Sequence, residues 1–346
     1  MSTCVYAVIN HHQGNGDELA GTDATAQVSL VRYGDLAAVV GPARFQDLSS
    51  LDQEELVRSV FAHQSVIERT MQHHTVLPVK FGTMAADAEE VERILCHGQE
   101  RLTHTLAMME GKVELEVTAV WDKKEVLKDI ARQADIVAFR ESIGIRPSER
   151  DKVRLGQMVE SCLRKRGEEI ASEIVDRLAE TAEDVCLHEI PDVSVVVNVA
   201  FLVSRERLEA FDRALDEADG RYGGRLTFKV VGPLPPYSFG TVVVKKAALA
   251  ELDSARERLG IGRTDAPTLI KEAYWSLCAR QHPDKNRGKA GAEEKFAELT
   301  RAYELLTEFH QAGVDPNAGG GPGDVVKVDV ISIGTRPVAV SRRSRQ

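Results

Sequence analysis

Two pairs of adjacent histidines, His11–His12 and His73–His74, are of a residue type that could bind a metal ion. Adjacent histidines point in different directions on a strand or a helix. Neither pair has the second histidine four residues away, nor the carboxylate, that a helical zinc site uses. A metal site would need distant residues to converge, for example His63 with His73 or His74. We therefore expect neither a metal ion nor a cofactor.

Motifs for phosphate binding and nucleophilic catalysis are also missing from the sequence. The glycines of QGNGDE (13–18) lack the GxGxxG spacing and the Walker lysine, and GGGPG (319–323) has the composition of a linker. No serine stands in a nucleophile elbow. The sequence therefore predicts that the protein is not an enzyme.

Composition and charge narrow the classes of partner. The chain of 346 residues has a net charge of −10 and only 5% aromatic residues, which disfavours binding to nucleic acid or to an anionic lipid membrane. Five scattered cysteines without a CxxC pair are typical of a reduced compartment. The apolar run at 4–9 is too short for a signal peptide, and the longest one, at 193–203, is too short to span a bilayer. We expect a cytoplasmic protein.

Residues 254–306 have the pattern of two antiparallel helices with a polar tripeptide between them. The first helix has apolar residues at amphipathic spacing, at Ile270, Ala273, Tyr274, Leu277 and Cys278. Pro283 disfavours helical backbone at His282, so this helix is predicted to end there. The second helix has an apolar face made of Phe296, Leu299, Tyr303 and Leu306. The pair therefore packs through its apolar stripes and exposes His282-Pro283-Asp284 at its tip.

This segment resembles the J-domain of the DnaJ (Hsp40) family through its LGI, IKEAY, HPDKN and EEKFAELTRAYELL phrases. The resemblance implies that His282, Pro283 and Asp284 dock on a DnaK-type Hsp70 chaperone and stimulate its ATPase. It also implies that basic side chains steer the domain toward an acidic Hsp70 surface, and this chain has Lys271, Arg280 and Lys285 for that role.

The chain departs from the J-domain pattern at Trp275 and Ser276, which stand where basic residues are usual in the family. The basic surface is therefore thinner than usual. The Gly/Phe-rich linker and the zinc-binding cysteines of a full DnaJ are also absent from the sequence. A helical hairpin that kept the fold but lost contact with Hsp70 is the alternative interpretation.

Five phrases in the first 246 residues resemble, in order, the GvpF/GvpL family of gas vesicle proteins. They are CVYAVI (4–9), YGDLAAVV (33–40), VLPVKFGT (76–83), VNVAFLV (197–203) and GPLPPYSF (232–239). The last phrase is the most specific. Three prolines in four residues are expected to stiffen a connection between two strands, with Tyr237 and Phe239 alternating into the sheet.

The resemblance implies an accessory protein of gas vesicles, the hollow, protein-walled buoyancy compartments of certain prokaryotes. The expected partners are the very hydrophobic shell protein, other gas vesicle accessory proteins and an Hsp70; the expected location is the gas vesicle and the cytoplasm. Two alternatives remain: a J-domain co-chaperone for a client outside gas vesicles, and a purely structural minor component of the vesicle.

The predicted fold class is α+β, with two ferredoxin-like sheet domains, a long helical segment and an all-helical C-terminal J-domain. The expected limits are 1–121 and 187–246 for the sheet domains, 122–186 for the helical segment, 250–312 for the J-domain and 313–346 for a flexible linker and tail. Helices are predicted at 52–71, where Leu56, Val60, Phe61, Ile67 and Met71 share a face, and at 87–109. A strand is predicted at 238–246, and another in the tail.

Overall fold

The structure, a computed structural model, describes residues 2–11, 28–43, 48–262, 266–281, 292–310 and 324–332. The chain divides into two compact units. The first contains Met1–Val66, Val79–Thr105 and Val242–Val330, and the second contains Ile67–Pro78, Leu106–Thr241 and Ile331–Gln346.

The strands are β1 (Thr3–Asn10), β2 (Ser29–Tyr33), β3 (Leu36–Pro42), β4 (Val76–Pro78), β5 (Met84–Ala85), β6 (Lys112–Trp121), β7 (Asp184–Leu187), β8 (Val195–Ser204), β9 (Leu226–Leu234), β10 (Thr241–Ala248) and β11 (Asp324–Ile331). The helices are α1 (Gln53–Met71), α2 (Ala88–Met109), α3 (Lys123–Ile130), α4 (Ala134–Ile143), α5 (Glu149–Ala179), α6 (Leu208–Tyr222), α7 (Tyr237–Gly240), α8 (Leu249–Leu259), α9 (Pro267–Gln281) and α10 (Ala292–His310).

The first unit is built around an antiparallel sheet in which β3 lies between β2 and β1. Strand β1 pairs on its other side with the short β5. The six central residues of β1 are all buried, as a continuous apolar run predicts for a strand that is covered on both faces. Helix α2 contributes the predicted inward face of Val91, Ile94, Leu95, Leu102 and Leu106, each at most 2% exposed.

Helix α1 begins at a reciprocal cap, in which Asp52 accepts from the Glu55 N–H and Glu55 accepts from the Asp52 N–H. The predicted apolar face of this helix is buried only in its second half. Ile67 is buried, but Val60 and Phe61 are 39% and 67% exposed. The first buried residue of the helix is His63. The apolar side chains in the turns before it are therefore not part of the core.

The second unit has a fully antiparallel sheet of order β7-β8-β6-β9. Helix α6 connects β8 to β9, which run parallel on either side of β6, and this is the split βαβ arrangement. With β6 as first strand, the order 4-1-3-2 is of the predicted ferredoxin-like class, but β6 comes from the segment predicted to belong to the first sheet domain. Helices α3 to α5 follow that first strand, so the long helical segment leads from β6 to β7 within one sheet.

The core of the second unit lies between this sheet and helices α5 and α6. Phe201 of β8 meets Phe211 of α6 edge to face, with ring centroids 5.3 Å apart, and Leu178 of α5 packs in the same cluster. Helix α5 starts at a Ser148–Asp151 capping box. It continues through Gly156 as one helix of 31 residues.

Residues 238–246 differ from the predicted single strand. Tyr237–Gly240 form one helical turn, α7, in which the Gly240 N–H donates to the Pro236 carbonyl at 2.9 Å. A proline suits the start of a helical turn because its fixed φ is already helical and it has no N–H to leave unpaired. The strand begins only at Thr241 as β10, which pairs with β11. The tail strand is thereby confirmed.

Candidate functional site

The predicted helical hairpin is formed by α9 and α10. Ile270 and Cys278 of α9 and Leu299 and Leu306 of α10 are all buried in one cluster. Tyr274, also on α9, stacks on Tyr303 of α10 with ring centroids 4.2 Å apart. The predicted stripes therefore close the pair, and α9 ends at Gln281, directly before the polar tripeptide in sequence.

The predicted contact residues for an Hsp70 fall into two groups. Lys271 and Arg280 are exposed on α9. The Arg280 guanidinium donates to the backbone carbonyl and the hydroxyl of Ser276, at 3.2 and 3.0 Å, which fixes its direction along the helix. The remaining four, His282, Pro283, Asp284 and Lys285, lie outside the described residues.

The core of the hairpin extends to the segment that precedes it. Leu252, Ala255 and Leu259 of α8 and Ala247 of β10 are buried in the same cluster as the hairpin residues. Helix α8 packs against α10. The three helices and the end of β10 are therefore one packed body, not a hairpin on a tether.

Strand β11 returns the chain from α10 to the α2 side of the first unit. The Arg101 side chain of α2 donates to the Val328 carbonyl at 3.0 Å and forms an ion pair with Asp329. Lys327 donates to the carbonyl of Glu308, near the end of α10, at 3.1 Å, and lies 2.9 Å from Asp329. The strand thus connects the hairpin to α2.

Two lysines of β10 strengthen the same connection. Lys245 forms an ion pair with Glu308 of α10. Lys246 pairs with the largely buried Glu90 of α2 and donates to the Met84 carbonyl at 2.7 Å. We refer to β10, β11 and these pairs to α2 and α10 as the clamp.

The clamp depends on close approach of α2 and β11 at Gly98. A Cβ atom at this position would lie 2.8 Å from a methyl group of Val328 and 2.7 Å from one of Leu102. We expect Gly98→Leu to displace β11 and lower the free energy of unfolding by about 2 kcal/mol, the usual order for overpacking. Hydrogen exchange measured by mass spectrometry should show faster exchange of the β11 amides.

The matched control for this prediction is Gly156→Leu in α5. No atom lies within 4 Å of a Cβ there, so leucine in place of glycine should raise helix stability by about 0.5–1 kcal/mol. Equal exchange of β11 in Gly98→Leu and the wild type would contradict the close approach.

A second cluster surrounds the proline-rich connection in the second unit. Glu114 of β6 is fully buried, and its carboxylate accepts from the N–H and the hydroxyl of Ser238, at 2.7 and 2.8 Å. The Ser238 hydroxyl also lies 3.1 Å from Nε2 of His188, and the Ser238 carbonyl accepts from the Ser332 hydroxyl at 2.8 Å. Glu114 therefore anchors α7 on the sheet.

Burial dominates the titration of this cluster. It raises the pKa of the Glu114 carboxyl to about 7, although the two bonds from Ser238 act in the opposite direction. Burial, with smaller contributions from Glu68 and Glu114, also raises the pKa of Tyr237. The Tyr237 hydroxyl is buried and has no hydrogen-bond partner among the described residues.

His63 of α1 contacts Val79 within the first unit. Its Nε2 lies 3.0 Å from the carbonyl of Val79, so Nε2 carries the proton and donates. The ring packs between Tyr6 and Phe81, at centroid distances of 5.2 and 5.3 Å. Burial lowers its pKa, which favours the neutral ring.

Sequence reasoning did not find Glu114 or Ser238, and it named His63 only as a conceivable metal ligand. Strand alternation alone places Glu114 on the same side of β6 as the half-exposed Glu116, and a lone histidine on an apolar helix carries no specific signal. Within the described ranges, no group of three His, Cys, Asp or Glu side chains could hold a metal ion. In that same part of the chain, no helix is both long and apolar enough to cross a membrane.

Known proteins resemble the two parts of the chain separately. The family model described as "Gas vesicle synthesis protein GvpL/GvpF" matches residues 2–241, and the DnaJ domain model matches residues 257–311. Gas vesicle protein F of a Streptomyces species is 30% identical over 250 residues, which are 69% of this chain and 99% of that protein. Gas vesicle protein F1 of Halobacterium salinarum is 27% identical over 64% of this chain and 85% of its own length.

Two solved structures have the same fold. The crystal structure of gas vesicle protein GvpF from Anabaena matches with a TM-score of 0.61 and 21% identity, over 68% of this chain and 97% of that one. GvpF from Microcystis aeruginosa matches with a TM-score of 0.56 and 20% identity, over 68% and 98%.

Proposed function

Since the chain belongs to the GvpL/GvpF family of gas vesicle synthesis proteins and carries a DnaJ domain, we propose that it delivers the vesicle shell protein to an Hsp70. Residues 2–241, which match the gas vesicle family, hold the hydrophobic shell protein before it polymerises. The J-domain brings a DnaK-type Hsp70 to the same client. The protein acts in the cytoplasm and at the growing gas vesicle, with other accessory proteins as neighbours.

The observation that carries the proposal is that the J-domain helices and the N-terminal sheet lie in one compact unit, joined by the clamp. A J-domain fixed to a client-binding body presents client and chaperone at a constant separation, so the second encounter becomes intramolecular. Exposed apolar side chains on α1, Phe61 above all, also suit a chain that handles an apolar client.

The test uses the full chain, because removal of residues 247–346 would take away the end of β10 and its partner strand β11. The wild type should raise ATP hydrolysis by purified DnaK-type Hsp70, and His282→Gln should reduce that rise by at least about tenfold. The reason is that a glutamine lacks the imidazole of the docking tripeptide. His104→Gln, at an exposed position of α2, is the matched control and should behave as the wild type.

Binding of the client is tested separately. The small shell protein is co-expressed with the full chain, and the soluble fraction of the shell protein is measured. We expect the wild type to raise this fraction and His282→Gln to raise it less. A wild type without effect on either ATP hydrolysis or shell-protein solubility would contradict the proposal.

A further inference from the structure

The solvent side of α9 carries a large aromatic side chain. Trp275 is 60% exposed, although tryptophan is usually well covered. Lys271 lies one turn before it on the same side, and Arg280 lies further along the exposed surface of the helix. This helix leads directly into the tripeptide that the proposed function places against an Hsp70.

The indole ring is supported on one side by a neighbouring aromatic ring. It meets Tyr274 edge to face, with ring centroids 5.6 Å apart. Tyr274 in turn stacks on Tyr303 of α10, and its hydroxyl lies 3.3 Å from that of Thr300. A partner that covers Trp275 therefore loses little side-chain entropy, which is the condition for an aromatic binding hot spot.

Charge alone gives this surface little attraction for an acidic partner. The exposed side of α9 has Lys271 and Arg280, but it also has Glu272, which leaves a net charge of +1. Exposed charges of this kind contribute weakly and are screened by salt. The whole chain has a net charge of −10, so long-range steering toward an acidic surface is not favoured either.

We propose that Trp275 is the main anchor of α9 on the DnaK-type Hsp70 and that Lys271 and Arg280 orient the contact. This inference rests on the proposed recruitment of Hsp70. The complementary site on the partner is an apolar depression bordered by carboxylates, not an extended acidic surface. A J-domain that binds in this way selects an Hsp70 with such a depression over one that offers charge alone.

The experiment compares full-length wild type with Trp275→Ala and Trp275→Lys, by titration into purified DnaK-type Hsp70. Trp275→Ala should raise the half-maximal concentration for ATPase stimulation by at least about tenfold, as expected for a hot-spot tryptophan. Leu269→Ala, which removes another exposed apolar side chain of α9, is the matched control and should change it less than about twofold. Circular dichroism checks that the variants stay folded.

The salt dependence of the half-maximal concentration distinguishes an apolar anchor from a purely electrostatic contact, which salt would weaken strongly. Between about 50 and 300 mM salt, the half-maximal concentration of the wild type should change by less than about threefold. Trp275→Lys should bind more weakly than the wild type and show a steeper dependence on salt.

The outcomes separate this inference from the proposed function. If His282→Gln loses stimulation while Trp275→Ala keeps the wild-type half-maximal concentration, recruitment stands and the anchor is wrong. Binding by Trp275→Lys that equals the wild type also overturns the anchor. If neither the wild type nor any variant stimulates the Hsp70, the proposed function itself fails.

Discussion

Replacement of Gly232 with alanine is expected to lower the free energy of unfolding by about 3 kcal/mol. Gly232 has a φ of +152°, a region that residues with a side chain rarely adopt. A Cβ atom there would lie 2.6 Å from a methyl group of Leu115 and 2.9 Å from the backbone carbonyl of Glu114. The carbonyl belongs to the central strand β6 and cannot turn away, so strain and overlap add. Urea unfolding of the full chain measures the loss.

Gly223→Ala is the matched control for backbone conformation. Gly223 also has a positive φ, of +54°, but no atom lies within 4 Å of a Cβ at that position. The free energy of unfolding of Gly223→Ala should fall by about 1 kcal/mol, the conformational cost of placing alanine in the left-handed region. A loss in Gly232→Ala no greater than that in Gly223→Ala would show that the close approach to β6 does not matter.

Local patterns in the sequence predicted the helical hairpin well, for physical reasons. The apolar stripe through Ile270 and Cys278 needs only helical periodicity, and Pro283 marks the end of the helix through its effect on the preceding residue. Both signals depend only on residues that are close together in the sequence. The ferredoxin-like order could also be expected, because strand–helix–strand connections have few compact solutions.

Which strands pair is a different question, and periodicity does not answer it. The alternation at 325–334 predicted a strand but not its neighbour. Its pairing with β10 joins residues 324–331 to residues 241–248, and its contact with Arg101 joins residues 227 positions apart. Likewise, the stripe of α1 continues to Phe61, although packing stops before it, since a pattern cannot say where the covering layer ends.

The buried cluster at the proline-rich connection was beyond sequence reasoning for the same reason. Alternation in β6 gives Glu114 and Glu116 equivalent positions, and only the fold places α7 over the first of them. A carboxylate that looks solvated in the sequence thereby becomes the anchor of a helical turn 124 residues away.

The pH dependence of stability should identify Glu114 as that anchor. Its pKa in the folded state, about 7, lies above the value of about 4.5 for an unperturbed carboxyl. Between these values the folded chain binds more protons than the unfolded chain, so the stability contributed by the protonated carboxyl is complete below about pH 4.5 and is lost as the pH rises through 7. The full change is on the order of 3 kcal/mol.

Glu114→Gln keeps the shape of the side chain and an acceptor for the Ser238 N–H, but it cannot ionise. The free energy of unfolding of the variant relative to the wild type should therefore rise by about 3 kcal/mol from pH 5 to pH 8. Urea unfolding at several pH values measures this difference. The control is Glu116→Gln, a half-exposed carboxylate on the same strand, which should change the pH profile only slightly, because its charge is the smallest of the contributions to the pKa of Glu114.

Glu114→Leu separates the hydrogen bonds from the charge. Leucine removes the titrating group as glutamine does, but it also leaves the Ser238 N–H without its acceptor in a buried place. This variant should therefore lose about 2–3 kcal/mol relative to Glu114→Gln at every pH between 5 and 8. Equal stability of the two variants would mean that Glu114 does not anchor α7. The proline-rich connection would then be held by its prolines, by Gly232 and by the contacts of Ser238 with His188 and Ser332.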